Sequence, residues 1–277
     1  MSKRTNRSAF SLLELVFVIV ILGIVSSLGA EIIANVYESY VLQRAQHRAS
    51  LKTELAATEI ANRLRYAIPG TVYRIKNDDS KEEIHTSFID GDLYKGLQWV
   101  AYDGDSFEAI SSAADRKPGW SGFCDINTST TSSISTPGSN LGLANTIIGN
   151  LSGGAKGMAD TNLYFPYDST AYDVSAGSGE TITLGTNAPR IIEHYKLAWS
   201  SYALFVDNNG DLYLYYNFSP SPGVNIVDNN SSRSLLLKNV TNFKFQGAGR
   251  TTRFKICKEE NIGKDFNITS CKEKAVF

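Results

Sequence analysis

The longest apolar run of the chain lies close to its start. Residues 12–30 are apolar apart from Glu14 and a few serines and glycines. In a helix that rises ~1.5 Å per residue, this run spans about 28 Å, close to the thickness of the hydrocarbon core of a bilayer. The pattern therefore predicts a helix that spans a membrane.

The pattern changes after this run, but it does not stop. From residue 31 to residue 68, apolar residues recur at steps of three and four, which is typical of an amphipathic helix. No glycine or proline follows Gly29 until the pair Pro69-Gly70, where the helix is expected to stop. Small side chains that allow a sheet to approach closely occur at Ala45, Ala49, Ala56, Ala57 and Ala61. We predict one continuous helix; a coiled-coil stalk is the alternative, although a strict heptad is not sustained.

The rest of the chain has the pattern of β-structure. Short runs rich in Tyr, Val, Ile and Phe alternate with clusters of Gly, Asn, Asp and Ser. Strands are predicted at residues 71–76, 84–89, 97–102, 181–184, 202–206, 211–218, 234–237, 240–245 and 253–257, and a short helix at 141–151. The expected fold class is α+β, with a long N-terminal helix packed on a β-rich antiparallel-sheet head domain.

Two segments of the head have the composition of loops. Residues 121–140 are rich in Ser and Thr, and residues 152–160 are rich in Gly. Such compositions favour mobile surface loops. We interpret both as spacers, with partner-binding insertions as the alternative.

One turn offers a choice between a hairpin and a metal site. The segment from Leu204 to Tyr215 consists of two β-type runs around a DNNGD turn, which predicts a hairpin. Asp207, Asn209 and Asp211 offer oxygens at alternate positions, so they are calcium candidates, although the spacing and the terminal Glu of an EF-hand are missing. We favour the hairpin without a metal.

Charge and motifs argue against catalysis and nucleic-acid binding. The chain has 27 basic and 28 acidic side chains, so no basic surplus favours nucleic acid. It has no phosphate loop, nucleophile elbow or zinc motif, and His47, His85 and His194 are scattered. We therefore expect no enzymatic activity, no cofactor and no metal.

The residues before the apolar run set the expected orientation. Lys3, Arg4 and Arg7 precede it without any acid. The positive-inside rule keeps such a flank in the cytoplasm and places the head outside it. Glu14 stands within the apolar run, where a carboxylate costs a few kcal/mol in hydrocarbon, so it requires a partner.

The string SAFSLLEL at residues 8–15 resembles the prepilin cleavage and methylation motif of type IV pilins and type II secretion pseudopilins. Ala9 stands where that family usually has Gly. The resemblance implies cleavage between Ala9 and Phe10 by prepilin peptidase, N-methylation of Phe10, and pairing of the new amine with Glu14 of a neighbouring subunit. It also implies a pilin-like fold.

This resemblance divides the chain into four segments. They are a cleaved leader (1–9), a transmembrane and assembly half of the helix (10–30), an amphipathic half (31–68) and an extracytoplasmic head (69–277). The expected protein is a minor pilin or pseudopilin, single-pass in the bacterial inner membrane with a periplasmic head. Its expected partners are the peptidase, other pilins of the filament and the inner-membrane assembly platform.

Two alternatives stay open at this point. The first is a signal-anchored periplasmic binding or adhesion domain that does not assemble. The second is a secreted enzyme released by signal peptidase after Gly29, because Ser27-Leu28-Gly29 is a passable small-residue cleavage site.

The cysteines allow a disulfide if the head lies outside the cytoplasm. Cys257 and Cys271 are fourteen residues apart near the C-terminus. The family often closes a C-terminal loop in this way, so the resemblance favours this pair. Pairing of Cys124 with either of them is the competing arrangement.

Overall fold

The computed structural model describes residues 11–85, 94–226, 231–263 and 266–276. Its dominant element is helix α1, Leu12–Leu64, which contains 53 residues. At ~1.5 Å per residue the helix is about 80 Å long. The single continuous helix predicted from the sequence is therefore present.

Helix α1 ends four residues earlier than predicted. We expected it to reach Ile68, but the last helical residue is Leu64. The backbone N–H of Ile68 instead donates to the carbonyl of Val100 at 2.9 Å, and Ala67 forms a β-bridge with Ala101. A residue before a proline is disfavoured in the α conformation, so pairing with the sheet replaces the last helical turn.

Two further helices and one 3₁₀ turn (Met158–Asp160) lie in the head, within the described part of the chain. Helix α2 is Gly104–Glu108, and helix α3 is Leu141–Leu151, as predicted.

Among the described residues, fourteen strands form three sheets in which every pairing is antiparallel. The six-stranded sheet has the order β11-β10-β9-β3-β1-β2, the five-stranded sheet β4-β7-β6-β5-β8 and the three-stranded sheet β12-β13-β14. The strands are β1 Tyr73–Lys76, β2 Lys81–Glu83, β3 Tyr94–Ala101, β4 Ser133–Ser135, β5 Asn162–Tyr164, β6 Tyr172–Ser178, β7 Thr181–Leu184, β8 Lys196–Ala198, β9 Ser200–Val206, β10 Leu212–Phe218, β11 Ser232–Leu237, β12 Val240–Ala248, β13 Thr251–Gly263 and β14 Phe266–Val276.

Eight of the fourteen strands among the described residues were predicted, and most of these differ from the prediction at their ends. Strand β7 has the predicted bounds. The strand predicted at 84–89 is wrong in its described part, because Ile84 and His85 lie in a turn after β2; the remainder falls outside the described residues. Strands β2, β4, β5, β6, β8 and β14 were not predicted. Strand β14 is polar along most of its length, and only its pairing with β13 makes it a strand. The α+β class is confirmed.

The main core lies between α1 and the sheets. Small and apolar residues of one helix face, including Ala56, Ala57, Ile60 and Leu64, pack against Trp99, Leu204 and Phe254 of the sheets. Ala49, Ala56 and Ala57 are buried, as expected for a helix that a sheet approaches closely. Only this second half of the helix contributes to the core.

A second core lies in the middle of the head. It includes Trp120, Ile134, Ile148 and Leu163. The prediction of a mobile surface loop at 121–140 is wrong, because this segment contributes strand β4 and buried side chains to that core. Its polar residues are accommodated by hydrogen bonds: the Thr136 hydroxyl lies 2.8 Å from that of Ser139 and 2.7 Å from that of Tyr195.

Candidate functional site

The first half of α1 has no cover from the head. Its large apolar side chains, from Leu12 to Leu28, are all exposed. Within the described residues, α1 is the one helix that is long and apolar enough to cross a bilayer. Because the head does not cover this half of the helix, lipid or other protein chains can bury its apolar surface.

The bare surface extends beyond the predicted membrane span. Ile33 is 71% exposed, and Tyr40 is 58% exposed. The sequence placed these residues in the half of the helix under the head, but the head covers α1 only from about Ala49 onwards. The helix therefore carries an uncovered apolar stretch between the membrane and the head.

The N-terminal turn of α1 is built around Ser11 and Glu14. The Ser11 hydroxyl is the N-cap and accepts a hydrogen bond from the backbone N–H of Glu14 at 3.3 Å. The backbone carbonyl of Ser11 accepts from Leu15 at 3.2 Å. The spacing Ser11-x-x-Glu14 is that of a capping box, and a carboxylate in the first turn interacts favourably with the helix dipole.

The N-cap role of Ser11 was missed in the sequence interpretation, although the Ser-x-x-Glu signal was available. The cap leaves the Glu14 side chain exposed, so its carboxylate is accessible to a cation from another molecule. The proposed processing residues Ala9 and Phe10 lie outside the described residues.

Ion pairs hold the second half of α1 against the head. The Lys274 ammonium lies 2.6 Å from Oε1 of Glu54, and the Lys272 ammonium lies 3.4 Å from Oε2. The hydrogen bond from Lys274 lowers the pKa of the Glu54 carboxyl. At the next turns of the helix, Arg63 pairs with Glu59 at 2.9 Å and donates to the Tyr202 hydroxyl at 3.3 Å.

A disulfide joins the last two strands. Cys257 of β13 is bonded to Cys271 of β14, and the two residues are direct cross-strand partners. This is the pair that the family resemblance favoured. Cys124 is a buried free thiol next to the Ser129 hydroxyl, and burial raises its pKa. The competing pairing with Cys124 is wrong.

The calcium candidates lie in the β9–β10 hairpin. Oδ1 of Asp207 accepts hydrogen bonds from the backbone N–H of Asn209 at 2.9 Å and of Asp211 at 2.8 Å. Gly210 has a φ of +77°, which completes the tight turn. The Asp207 carboxylate therefore stabilises the turn without a cation. In the part of the chain that the structure describes, no group of three or more His, Cys, Asp or Glu residues is placed to hold a metal.

A comparison with known protein families finds a match for the N-terminal segment of the chain. Residues 4–30 match the family model described as the prokaryotic N-terminal methylation motif. Together with the long helix on an antiparallel head, this match supports the type IV pilin and pseudopilin family. The matched motif supports a precursor of the pilin or pseudopilin type. No curated protein and no solved structure matches the chain.

Proposed function

We propose that the chain is a minor subunit of a type IV pilus or of a type II secretion pseudopilus. Prepilin peptidase cuts between Ala9 and Phe10 and methylates the new N-terminus. The mature subunit then assembles with other pilins through α1, driven by the inner-membrane assembly platform. Its role is structural and not enzymatic.

The uncovered stretch of α1 supports this proposal most directly. If residues 12–30 span the bilayer, Tyr40 lies about 15 Å beyond it at ~1.5 Å per residue. Large apolar side chains such as Ile33, Val36 and Tyr37 are exposed in that stretch. Burying one such side chain contributes roughly 1.5–3 kcal/mol. Packing against the helices of neighbouring subunits provides this burial, whereas an isolated anchored domain leaves the surface in water.

Glu14 supports the same conclusion from the membrane side. Its carboxylate is exposed on a segment otherwise suited to hydrocarbon, where an unpaired charge is costly. The methylated amine of a neighbouring Phe10 keeps its positive charge and supplies the missing partner. The pair forms only in an assembly, so Glu14 favours one register between adjacent helices.

The size of the head supports the minor role, and the charge of the leader supports the proposed membrane topology. The head contains two hydrophobic cores and is bulky beside the single helix face that carries it. Such bulk suits an initiating or tip position better than a repeating one. Lys3, Arg4 and Arg7 keep the leader cytoplasmic, so the head is periplasmic before assembly.

N-terminal sequencing with intact-mass measurement of the native protein tests the processing step. The expected product starts at Phe10 and carries one N-methyl group. A product that starts at Ala30 and is free in the periplasm indicates a secreted protein. An uncut N-terminus in cells with active peptidase indicates an anchored domain that does not assemble.

Replacement of Glu14 tests the assembly step. Glu14→Val is expected to insert into the membrane normally but to be lost from purified filaments. Glu38→Val, on the same helix beyond the membrane span, serves as the control that changes an acidic residue without removing the amine's partner. Normal incorporation of Glu14→Val would contradict the proposed pairing.

A further inference from the structure

A cleft of about 680 Å³ opens where the C-terminal end of α1 meets the middle of the head. Residues 68–70 after the helix form one side, and the segments around Trp120, Phe165 and Tyr195 form the others. Its volume lies in the range of ligand pockets. The cleft lies at the end of α1 opposite the membrane span, so neither the bilayer nor the uncovered helix stretch blocks it.

Aromatic rings form the walls of the cleft. The ring centroids of Trp120 and Phe107 are 4.7 Å apart, and those of Trp120 and Tyr195 are 5.7 Å apart. The polar atoms of these rings are engaged: the Trp120 indole N–H donates to the carbonyl of Asp103 at 3.0 Å, and the Tyr195 hydroxyl bonds to that of Thr136. Trp120 and Tyr195 are only 2% and 3% exposed, so the ring surface that a ligand can reach here is chiefly that of Phe107, which is 43% exposed.

The charged side chains in the cleft leave a positive surplus. Lys196 is half-buried, and its ammonium lies 4.5 Å from the centre of the Tyr102 ring. No carboxylate of the described residues forms an ion pair with Lys196 or with Arg250, which reaches the rim from the β12–β13 turn. Burial lowers the pKa of Lys196, as expected for an ammonium without an anionic partner.

Asp168, which also lines the cleft, carries one negative charge against these two cations, so the surplus is one positive charge. Oδ2 accepts from the Tyr172 hydroxyl and Oδ1 from the backbone N–H of Thr170, each at 2.8 Å. Hydrogen bonds from the side chain and backbone of Thr170, and from Tyr172, hold the pKa of the Asp168 carboxyl below its usual value.

Tyr167 lies at the rim of the cleft, and both its exposure and its backbone conformation are unusual. Its side chain is 95% exposed, and its backbone has a φ of +63°. A left-handed backbone conformation in a bulky residue is strained, and such strain is concentrated at binding sites. An aromatic ring left in water beside an aromatic cleft is placed to cover a ligand.

We propose that this cleft binds an aromatic anion, that is, a ligand with a flat ring and an attached carboxylate. The ring of the ligand packs between Phe107 and Tyr167, and its carboxylate pairs with Lys196. Two sources carry this chemistry: a free small aromatic acid, and the C-terminus of a polypeptide that ends in an aromatic residue.

Calorimetry on the full-length chain in lipid nanodiscs tests the proposal, with empty nanodiscs as the blank. The probes are indole-3-acetate and the peptide Gly-Gly-Trp, each compared with its uncharged amide, and acetate as an anion without a ring. At least one acid is expected to bind about tenfold more tightly than its amide, which corresponds to one charge-assisted contact. Binding of indole-3-acetate alone identifies a free small molecule as the ligand, and binding of the peptide identifies a chain end.

Variants assign the binding to the cleft. Lys196→Met keeps the aliphatic stem and is expected to weaken binding of the acid about tenfold while leaving binding of the amide unchanged. Arg250→Gln, at an exposed position, provides a second charge variant if Lys196→Met fails to fold. Tyr167→Asn, which tolerates the left-handed backbone, is expected to weaken acid and amide equally.

Lys255→Met, at an exposed position on β13 that does not line the cleft, is the matched control and is expected to bind as the unmodified chain does. The proposal is overturned if no probe binds, if acids and amides bind equally, if acetate binds as well as the acids, or if Lys196→Met and Arg250→Gln both bind as the control does.

Discussion

The carboxyl group of Asp103 is buried at the N-cap of α2, and we expect it to make the stability of the head depend on pH. The residue is 3% exposed. Oδ1 accepts a hydrogen bond from the backbone N–H of Ser106 at 3.1 Å, whereas Oδ2 accepts none from the described residues. Burial dominates this environment and raises the pKa of Asp103 from 3.8 to about 6. The substitution that tests this is Asp103→Asn, which keeps a side-chain oxygen at the N-cap but removes the ionisable carboxyl group.

The size and the sign of the effect follow from proton linkage. A rise of the pKa of Asp103 by roughly 2 units corresponds to about 3 kcal/mol. Between pH 4 and pH 6 the folded protein holds the proton more tightly than the unfolded chain. The free energy of unfolding therefore falls as the pH rises through this window, and the contribution of Asp103 is constant above it. Relative to Asp103→Asn, the unmodified protein should lose about 2.4 kcal/mol of stability between pH 4 and pH 7.

Urea unfolding of the full chain in detergent micelles, followed by tryptophan fluorescence, measures this difference. The three tryptophans (Trp99, Trp120 and Trp199) are all buried in the head, so the signal reports on the head and not on the membrane helix. Asp115→Asn, at an exposed position whose charge is not among those that shift the pKa of Asp103, is the matched control and should leave the pH dependence unchanged. The reasoning is refuted if the difference between Asp103→Asn and the unmodified protein is constant with pH, or if it grows in favour of the unmodified protein as the pH rises.

Three further outcomes are expected in the same unfolding assay. Ile60 lies in the helix face that packs on the sheets, so Ile60→Ala should lower the free energy of unfolding by about 2–5 kcal/mol. Leu55→Ala, on the exposed face, should change it by less than about 0.5 kcal/mol. Equal losses would contradict the assigned helix face. Replacing Cys257 and Cys271 together by Ser should cost on the order of 3 kcal/mol, and the difference should vanish when both proteins are measured in reducing agent; a protein unaffected by reduction would speak against the bond. Asp207→Ala should lower the free energy of unfolding by about 1–2 kcal/mol, because two backbone N–H groups of the turn lose their acceptor. Neither calcium nor a chelator should change the stability of the unmodified protein. Stabilisation by calcium would support the metal interpretation instead.

Local sequence was sufficient to predict several features of this protein. The long helix was predictable because the period of its apolar residues and the absence of glycine and proline act within a few turns. The β9–β10 hairpin was predictable because the DNNGD turn lies directly between its two strands. The N-terminal motif was recognisable because the peptidase and methylation signal is a short contiguous string, here residues 4–30.

Only the tertiary structure decided which surfaces are covered and which charges lack partners. The Ser/Thr-rich segment 121–140 has the composition of a loop, yet the hydrogen bonds of Thr136 to Ser139 and Tyr195 allow it to lie in a core. The residues of the aromatic cleft come from Ile68 to Arg250, so no local pattern brings them together. Composition and periodicity report on neighbours along the chain, whereas burial, the pKa of Asp103 and the positive surplus of the cleft depend on groups that only the fold brings near. For this protein the sequence by itself determined the N-terminal motif and the long apolar helix, and only the packing of the head determined which side chains it buries and which it exposes.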